Sequence, residues 1–192
     1  MNKPRAMENL KNDIRKCSRC ELCKYSTNQI MGKGNFRSKI VFVGEAPGKE
    51  EDIRGEPFVG SAGKLLNQVL EKAGFSRKNV YVTNLVRCRP PKNRKPLKSE
   101  LNACSNYLER ELDIIKPKII APLGNTALYV IMRKYGLKPS KIGEVHGRIF
   151  EREAVWGNIV ILPLYHPAAA LYNKNLLELI EKDFGKLKKF IS

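Results

Sequence analysis

The chain has 192 residues, a length that allows one full-sized hydrophobic core and predicts a single domain over 1–192. Its 36 lysines and arginines outnumber its 19 aspartates and glutamates, and the resulting charge of +17 favours a polyanionic partner such as nucleic acid. The absence of a long apolar stretch and of any lipidation signal argues against a membrane partner.

Four apolar runs, each bounded by Gly, Pro or Asn, are typical of buried strands. They cover residues 39–43, 80–83, 119–123 and 159–164. Helical patterns between and after them cover 61–73, 99–115, 125–135 and 176–190. This alternation predicts an α/β fold in which helices cover both faces of a mostly parallel sheet of about four strands. In such a sheet, ligands bind at the carboxyl ends of the strands.

The residues that follow the predicted strands are therefore the candidate site. The first strand leads into the loop Gly44-Glu45-Ala46-Pro47-Gly48, and Asn84 and His166 end the second and fourth. The acidic run 50–52 after the loop is expected to be a solvated face without a catalytic role. His146, the other histidine, is predicted to be structural.

The five cysteines are a second group of candidate functional residues, and all are expected to be reduced. The polar segment 1–13 has no signal-peptide core, which predicts an intracellular protein and makes metal binding a better interpretation than disulfides. Four soft ligands suit either a tetrahedral zinc or an iron–sulfur cluster, and the spacing leaves both open. Cys23 is the expected odd one out, and the others are Cys17, Cys20, Cys88 and Cys104.

Taken together, these segments resemble the family 4 uracil-DNA glycosylases nearly end to end. The resemblance is carried by "CSRCELC", "GEAPGKEED", "GEPFVGSAGKLL", "YVTNLVRCRPPKNRKP", Cys104 and "YHPAA". It implies a three-layer α/β/α fold, a monofunctional enzyme of base excision repair that removes uracil from DNA, and a structural [4Fe-4S] cluster. The implied cluster ligands, which join the N-terminal segment to the 88–104 region, are Cys17, Cys20, Cys88 and Cys104.

The same resemblance assigns roles in the pocket. Phe58 is expected to stack on a flipped uracil, Asn84 to read its polar edge and His166 to stabilise charge on its O2. Gly44, Glu45 and Ala46 complete the expected substrate contacts. A related branch has an Asp and a Tyr where this chain has Ala46 and Gly48, so Glu45 is the nearest candidate to orient water.

Contacts with DNA are expected outside the pocket. Arg89, Lys92 and Arg94, in the basic loop 87–100, are predicted to bind phosphates. Leu171 is expected either to fill the gap left by the flipped base or to pack in the core. We expect a monomer acting on single- or double-stranded DNA, with a replication sliding clamp as a candidate partner.

Two other function classes fit parts of the sequence. A non-catalytic iron–sulfur or zinc nucleic-acid-binding module would account for the cysteines and the charge, but it would leave Phe58, Asn84 and His166 without a shared purpose. A nucleotide-binding oxidoreductase would use the parallel sheet, but no G-x-G-x-x-G follows the first strand.

Overall fold

The computed structural model describes residues 2–190. Over that range the chain forms eight α-helices and six strands, with short 3₁₀-helices between some of them. The helices are α1 (Lys3–Arg15), α2 (Lys49–Arg54), α3 (Ser61–Lys72), α4 (Lys98–Ile115), α5 (Gly124–Lys134), α6 (Ile142–Val145), α7 (Ala168–Tyr172) and α8 (Leu176–Gly185). The strands are β1 (Lys33–Gly34), β2 (Ile40–Gly44), β3 (Tyr81–Asn84), β4 (Ile119–Pro122), β5 (Phe150–Ala154) and β6 (Gly157–Ile161).

All six strands of residues 2–190 lie in one sheet, in the order β1-β3-β2-β4-β6-β5. The four central strands are parallel and correspond to the four apolar runs. Two antiparallel edge strands, β1 and β5, extend this predicted core. Both lack a buried apolar run, since β1 is two exposed residues and β5 alternates between half-buried and exposed positions.

The side chains of β2 alternate between the two faces of the sheet, as the two-residue period of a strand requires. Ile40 and Phe42 pack with α3 and α8 on one face. Val41 and Val43 pack with α1, α4 and α5 on the other. The sheet therefore lies between two helical layers, which confirms the predicted three-layer α/β/α fold.

Helix α1 was not predicted from the polar N-terminal segment. The Asn2 side chain caps its first turn by accepting a hydrogen bond from the backbone N–H of Arg5. Its buried stripe of Met7, Leu10 and Ile14 packs in the same core as α4. This packing brings the cysteine-bearing segment after α1 towards Cys104 on α4. No helix in the described part of the chain is long and apolar enough to cross a membrane.

The strand order creates a crevice beyond the end of β2. The next strand along the chain, β3, lies on one side of β2, and β4 lies on the other. Loops that leave neighbouring strands in opposite directions open a cleft at the carboxyl edge of the sheet. Strand β6 ends three residues earlier than the run 159–164 predicted, but Leu164 still bridges to Leu123 and leads the chain to His166 at this edge.

Candidate active site

A cavity of about 490 Å³ lies at this edge. Its lining includes five of the six predicted substrate contacts: Glu45, Ala46, Phe58, Asn84 and His166. The sixth, Gly44, lies behind them, where an added Cβ would collide with the Asn84 amide oxygen and the Phe58 ring. Only glycine therefore lets Asn84 and Phe58 approach the end of β2 this closely.

Phe58 has an unusual backbone conformation, with a φ of 57° that bulky residues rarely adopt. The Glu51 carboxylate supports this segment by accepting hydrogen bonds from the backbone N–H groups of Val59 (2.9 Å) and Gly60 (2.8 Å). Gly63 gives the segment room, because a Cβ there would overlap the Phe58 carbonyl. Such strain at a cavity points to a functional constraint on the ring.

The Phe58 ring and the His166 imidazole lie nearly parallel, with centroids 5.9 Å apart and planes 26° apart. Nδ1 of His166 accepts a hydrogen bond from the Ala168 backbone N–H at 3.2 Å. Burial lowers the pKa of His166 to about 4, and the charge of Glu51 opposes part of that shift. The imidazole is therefore neutral at physiological pH.

Asn84 is the last residue of β3 and stands opposite Gly44 in the parallel ladder. The residue is only 4 % exposed. Within residues 2–190 its amide makes no hydrogen bond, and it faces the cavity instead of being enclosed in the core. An unpaired amide that lines a cavity is suited to bind a polar ligand edge.

Glu45 is half-buried on the cavity wall, immediately after β2. Its backbone carbonyl accepts a hydrogen bond of 3.3 Å from Val86 N–H, which ties the loop to the segment after β3. Ala46 and Gly48 also line the cavity, so the loop between β2 and α2 adds backbone groups and one carboxylate to the wall.

The cysteines gather on the other side of the segment after β3. Cys88 and Cys104 are buried in a small cluster with Leu22 and Val86, and Cys20 and Cys23 pack against it. Burial raises the pKa of the Cys88 thiol to about 12, and the charges of nearby cysteines add to this rise. Those neighbours are Cys104, Cys20 and Cys17.

Among residues 2–190, no three His, Cys, Asp or Glu side chains stand together as ligands for a single metal. The Cys23 thiol instead donates a hydrogen bond of 3.0 Å to the carbonyl of Cys20.

The predicted DNA contacts all lie on the surface or at the cavity rim. Arg94 lines the cavity and forms a bidentate ion pair with Glu100, at 2.7 and 2.8 Å. Lys92 is exposed, and Nε of Arg89 donates to the Asn93 side chain at 2.7 Å. Leu171 is 50 % exposed, so the core-packing alternative for it is wrong.

His146 lies apart from the cavity lining. Its Nδ1 is 2.6 Å from the buried carboxylate of Asp183, and Lys186 contacts the other oxygen of that carboxylate at 2.9 Å. Lys186 also donates to the carbonyl of Gly147. These contacts fasten the loop after α6 to α8, in agreement with a structural role.

Sequence reasoning missed the importance of the acidic run. Glu50 is exposed as expected, but Glu51 lines the cavity and Asp52 is buried. Asp52 accepts hydrogen bonds from the backbone N–H groups of Thr27 and Asn28, at 2.9 and 3.1 Å. The sequence signal that could have indicated this role is a Glu three residues after a glycine that begins a helix. From that position the Glu51 carboxylate accepts a hydrogen bond of 3.1 Å from the Gly48 backbone N–H.

A buried ion pair between the two sites was also missed. Arg87 is 1 % exposed and contacts Glu111 at 3.0 Å, beneath the cavity end of β3. Glu111 accepts further hydrogen bonds from Tyr81 OH, Thr83 Oγ1 and the Gly32 N–H. The network holds β3, which ends at Asn84, against α4, which carries Cys104.

The chain matches the family model described as the uracil DNA glycosylase superfamily over residues 31–189. It is 45 % identical over 181 residues to a type-4 uracil-DNA glycosylase of Saccharolobus solfataricus, covering 94 % of this chain and 84 % of that protein. It is 44 % identical to one of Archaeoglobus fulgidus (95 % and 92 % covered) and 41 % identical to one of Thermotoga maritima (96 % and 94 % covered). The chain therefore belongs to the type-4 uracil-DNA glycosylases of this superfamily.

Proposed function

We propose that this protein excises uracil from DNA by hydrolysing the N-glycosidic bond, leaving free uracil and an abasic site for base excision repair. The observation that carries the proposal is the convergence of Phe58, the unpaired Asn84 amide and neutral His166 on one cavity. A non-catalytic binding module needs no such convergence. The family membership also favours the enzyme over that alternative.

Base recognition is assigned to the two sides of the cavity. A uracil flipped out of the stack would lie against the Phe58 ring. The Asn84 amide can donate from its NH₂ to O4 and accept from N3–H, a pattern that cytosine reverses. Gly44 and Ala46 keep the wall thin enough for the base to enter.

His166 is assigned to the leaving group. Because Nδ1 accepts from Ala168, the proton of the neutral ring is on Nε2, which can donate to uracil O2. As the C1′–N1 bond breaks, its electron pair moves into the base and negative charge grows on O2. A neutral, fixed donor stabilises that charge without reorganising.

Water addition at C1′ completes the hydrolysis, and its proton needs an acceptor. We assign Glu45 to orient this water, because neither Ala46 nor Gly48 has a polar side chain that could bind it. The assignment rests on its place in the cavity wall.

The donor set fits a [4Fe-4S] cluster held by Cys17, Cys20, Cys88 and Cys104. Cys88 and Cys104 are buried together, Cys20 packs against them, and the Cys23 thiol donates a hydrogen bond to a backbone carbonyl. Such a cluster would supply a cross-link between the segment after α1, the segment after β3 and α4. Its place across from the cavity suits a structural role, with no catalytic step routed through it.

The remaining proposals concern partners and context. Arg89, Lys92 and Arg94 would bind the phosphates beside the flipped nucleotide, and exposed Leu171 would occupy the vacated space in the stack. We propose that the protein acts as a monomer, as one domain over 1–192, and inside the cell. A replication sliding clamp is the candidate protein partner.

The test is a single-turnover assay on an oligonucleotide with one uracil. We expect abasic sites at the uracil position, detected by alkaline cleavage, and none in a matched oligonucleotide with thymine. Tight binding without abasic sites would favour the non-catalytic module instead. The His166→Ala variant, purified in parallel, controls for a contaminating glycosylase.

A further inference from the structure

One exposed face of α5 continues from the cavity along the surface. Asn125 and Thr126, in its first turn, line the cavity. Tyr129 follows Asn125 by four residues and Thr126 by three. Arg133 follows Tyr129 by four, so Tyr129 and Arg133 lie on the same helical face as the two cavity residues. One helical turn advances 5.4 Å, which places Tyr129 about one turn beyond the cavity rim.

This face has both an aromatic surface and positive charge. The Tyr129 side chain is 48 % exposed, although it is large and apolar. The guanidinium carbon of Arg133 lies 5.8 Å from the centre of its ring, and NH1 donates to the phenol oxygen at 3.1 Å. Helix α5 contains no Asp or Glu, so the face carries no carboxylate of its own helix.

Two neighbouring segments complete the surface. The Arg133 hydrogen bond lowers the pKa of Tyr129, the Arg133 charge adds to this, and so does the charge of Lys98 at the start of α4. Leu97, next to Lys98, is 54 % exposed. Lys98 is exposed at the start of α4, and Lys95 in the same segment lines the cavity.

We propose that Tyr129 is a stacking platform for an unpaired base that flanks the flipped nucleotide, with Arg133 and Lys98 binding its phosphates. The occupant is a single strand of DNA, because the face begins at the cavity that takes the flipped base and because along α5 it has the Arg133 charge and no carboxylate. Aromatic rings beside basic side chains are how proteins bind single strands without reading sequence. The inference rests on the proposed excision activity.

The first experiment places a fluorescent base on the platform. Single-stranded oligonucleotides would carry one non-cleavable 2′-fluoro-deoxyuridine and one 2-aminopurine at each flanking position in turn. We expect wild-type protein to quench 2-aminopurine at a particular flanking position, Tyr129→Ala to lose that quenching and Tyr129→Phe to retain it. The control is Tyr25→Ala, since Tyr25 is 65 % exposed on the N-terminal segment.

The second experiment measures affinity. Losing one base stack costs about 5- to 150-fold in affinity, so KM for a single-stranded uracil substrate should rise by that factor in Tyr129→Ala while the saturated single-turnover rate stays unchanged. Arg133→Gln should flatten the salt dependence of binding by about 0.7 in the log–log slope. Arg37→Gln, which removes an exposed charge just before β2, is the matched control.

Quenching and KM that stay at wild-type values in Tyr129→Ala would overturn the inference. So would the same loss in Tyr129→Phe, because the ring would then not be what matters. The quenching readout is separate from the excision proposal, since quenching by a non-cleavable strand requires binding alone. A wild-type protein that quenches but does not cut would contradict the excision proposal and support the platform.

Discussion

Nδ1 of His166 accepts a hydrogen bond of 3.2 Å from the backbone N–H of Ala168. Protonating that nitrogen would place two donors face to face, so the contact favours the neutral ring, as burial also does. Both groups belong to the turn that starts α7, which means that the helix start fixes the tautomer. The catalytic donor is thus set by the fold before any substrate arrives.

The first prediction concerns pH. A folded pKa of about 4, below the ordinary 6.5, means that the fold favours neutral His166. The contribution of this preference to the free energy of unfolding is fully present above pH 6.5, and it is lost as the pH falls towards 4. We expect single-turnover excision to show no inflection from His166 between pH 5.5 and 8, and a decline below about pH 5.

The control is His166→Gln, whose amide can donate but cannot titrate. The acid-side decline should be absent in this variant while circular dichroism shows that it stays folded. An inflection near pH 6.5 in wild-type protein that disappears in His166→Gln would mean that the imidazole titrates normally.

The second prediction ranks the two candidate catalytic groups. His166→Ala should slow single-turnover excision by about 100- to 1000-fold, the usual cost of one oxyanion donor, with little change in DNA binding. Glu45→Gln should cost less, because leaving-group stabilisation carries more of the barrier when only one carboxylate on a loop orients water. The opposite order would identify Glu45 as a general base.

The third prediction tests the support of Phe58. The Glu51 carboxylate accepts hydrogen bonds from three backbone N–H groups, and in Glu51→Gln an amide NH₂ would face at least one of them. We expect a loss of about 1–3 kcal/mol in the free energy of unfolding, measured with denaturant, and at least tenfold slower excision. Glu50→Gln, one residue away and exposed, should change neither quantity.

The sequence predicted the parts of the fold that follow from apolar patterning. Strands β2, β3 and β4 are runs of buried residues, and the apolar run 159–164 marks the end of β6. The helices between them repeat apolar residues every three to four positions, so the placement of these elements needs no tertiary information. Strand β5 was missed because its partner β6, and not a pattern of its own, holds it in the sheet.

From apolar patterning alone, the candidate site was predictable only where a strand ends, whereas Phe58 was found through the family resemblance. Gly44 and Asn84 follow apolar runs, so the parallel fold alone brings them together. Glu51 was missed because an acidic run is normally solvated. Its backbone donors, Val59 and Gly60, reach it only because the chain turns back at Phe58. Arg87 was missed because only the tertiary fold brings it to its partner Glu111, which is 24 residues away on α4.

The fourth prediction identifies the cluster ligands. Cys104→Ser should lose iron, brown colour and solubility, because Cys104 is buried against Cys88 where a serine cannot replace a thiolate ligand. Cys23→Ser should keep all three, since its side chain donates only to a backbone carbonyl, which a hydroxyl can also do. Iron analysis and the visible absorbance spectrum are the measurements, with about four irons per chain expected for wild-type protein.

A colourless wild-type protein with one stoichiometric zinc would contradict this assignment. Loss of iron in Cys23→Ser but not in Cys104→Ser would mean that the ligand set is wrong. Neither readout depends on glycosylase activity, so the cofactor is tested apart from the reaction.

The last prediction concerns how uracil is distinguished from cytosine. Asn84→Asp keeps the shape of the side chain but removes the NH₂ that would donate to uracil O4, so two acceptors would face each other in a buried site. Loss of such a hydrogen bond costs about 1–3 kcal/mol, and the added negative charge increases the cost. Cytosine presents an N4–H₂ donor instead, which a carboxylate can accept. We expect Asn84→Asp to lose most uracil excision and to gain weak action on cytosine, measured by single-turnover cleavage of matched oligonucleotides with one unpaired uracil or cytosine. Uracil cleavage at the wild-type rate would show that this unpaired amide does not read the base.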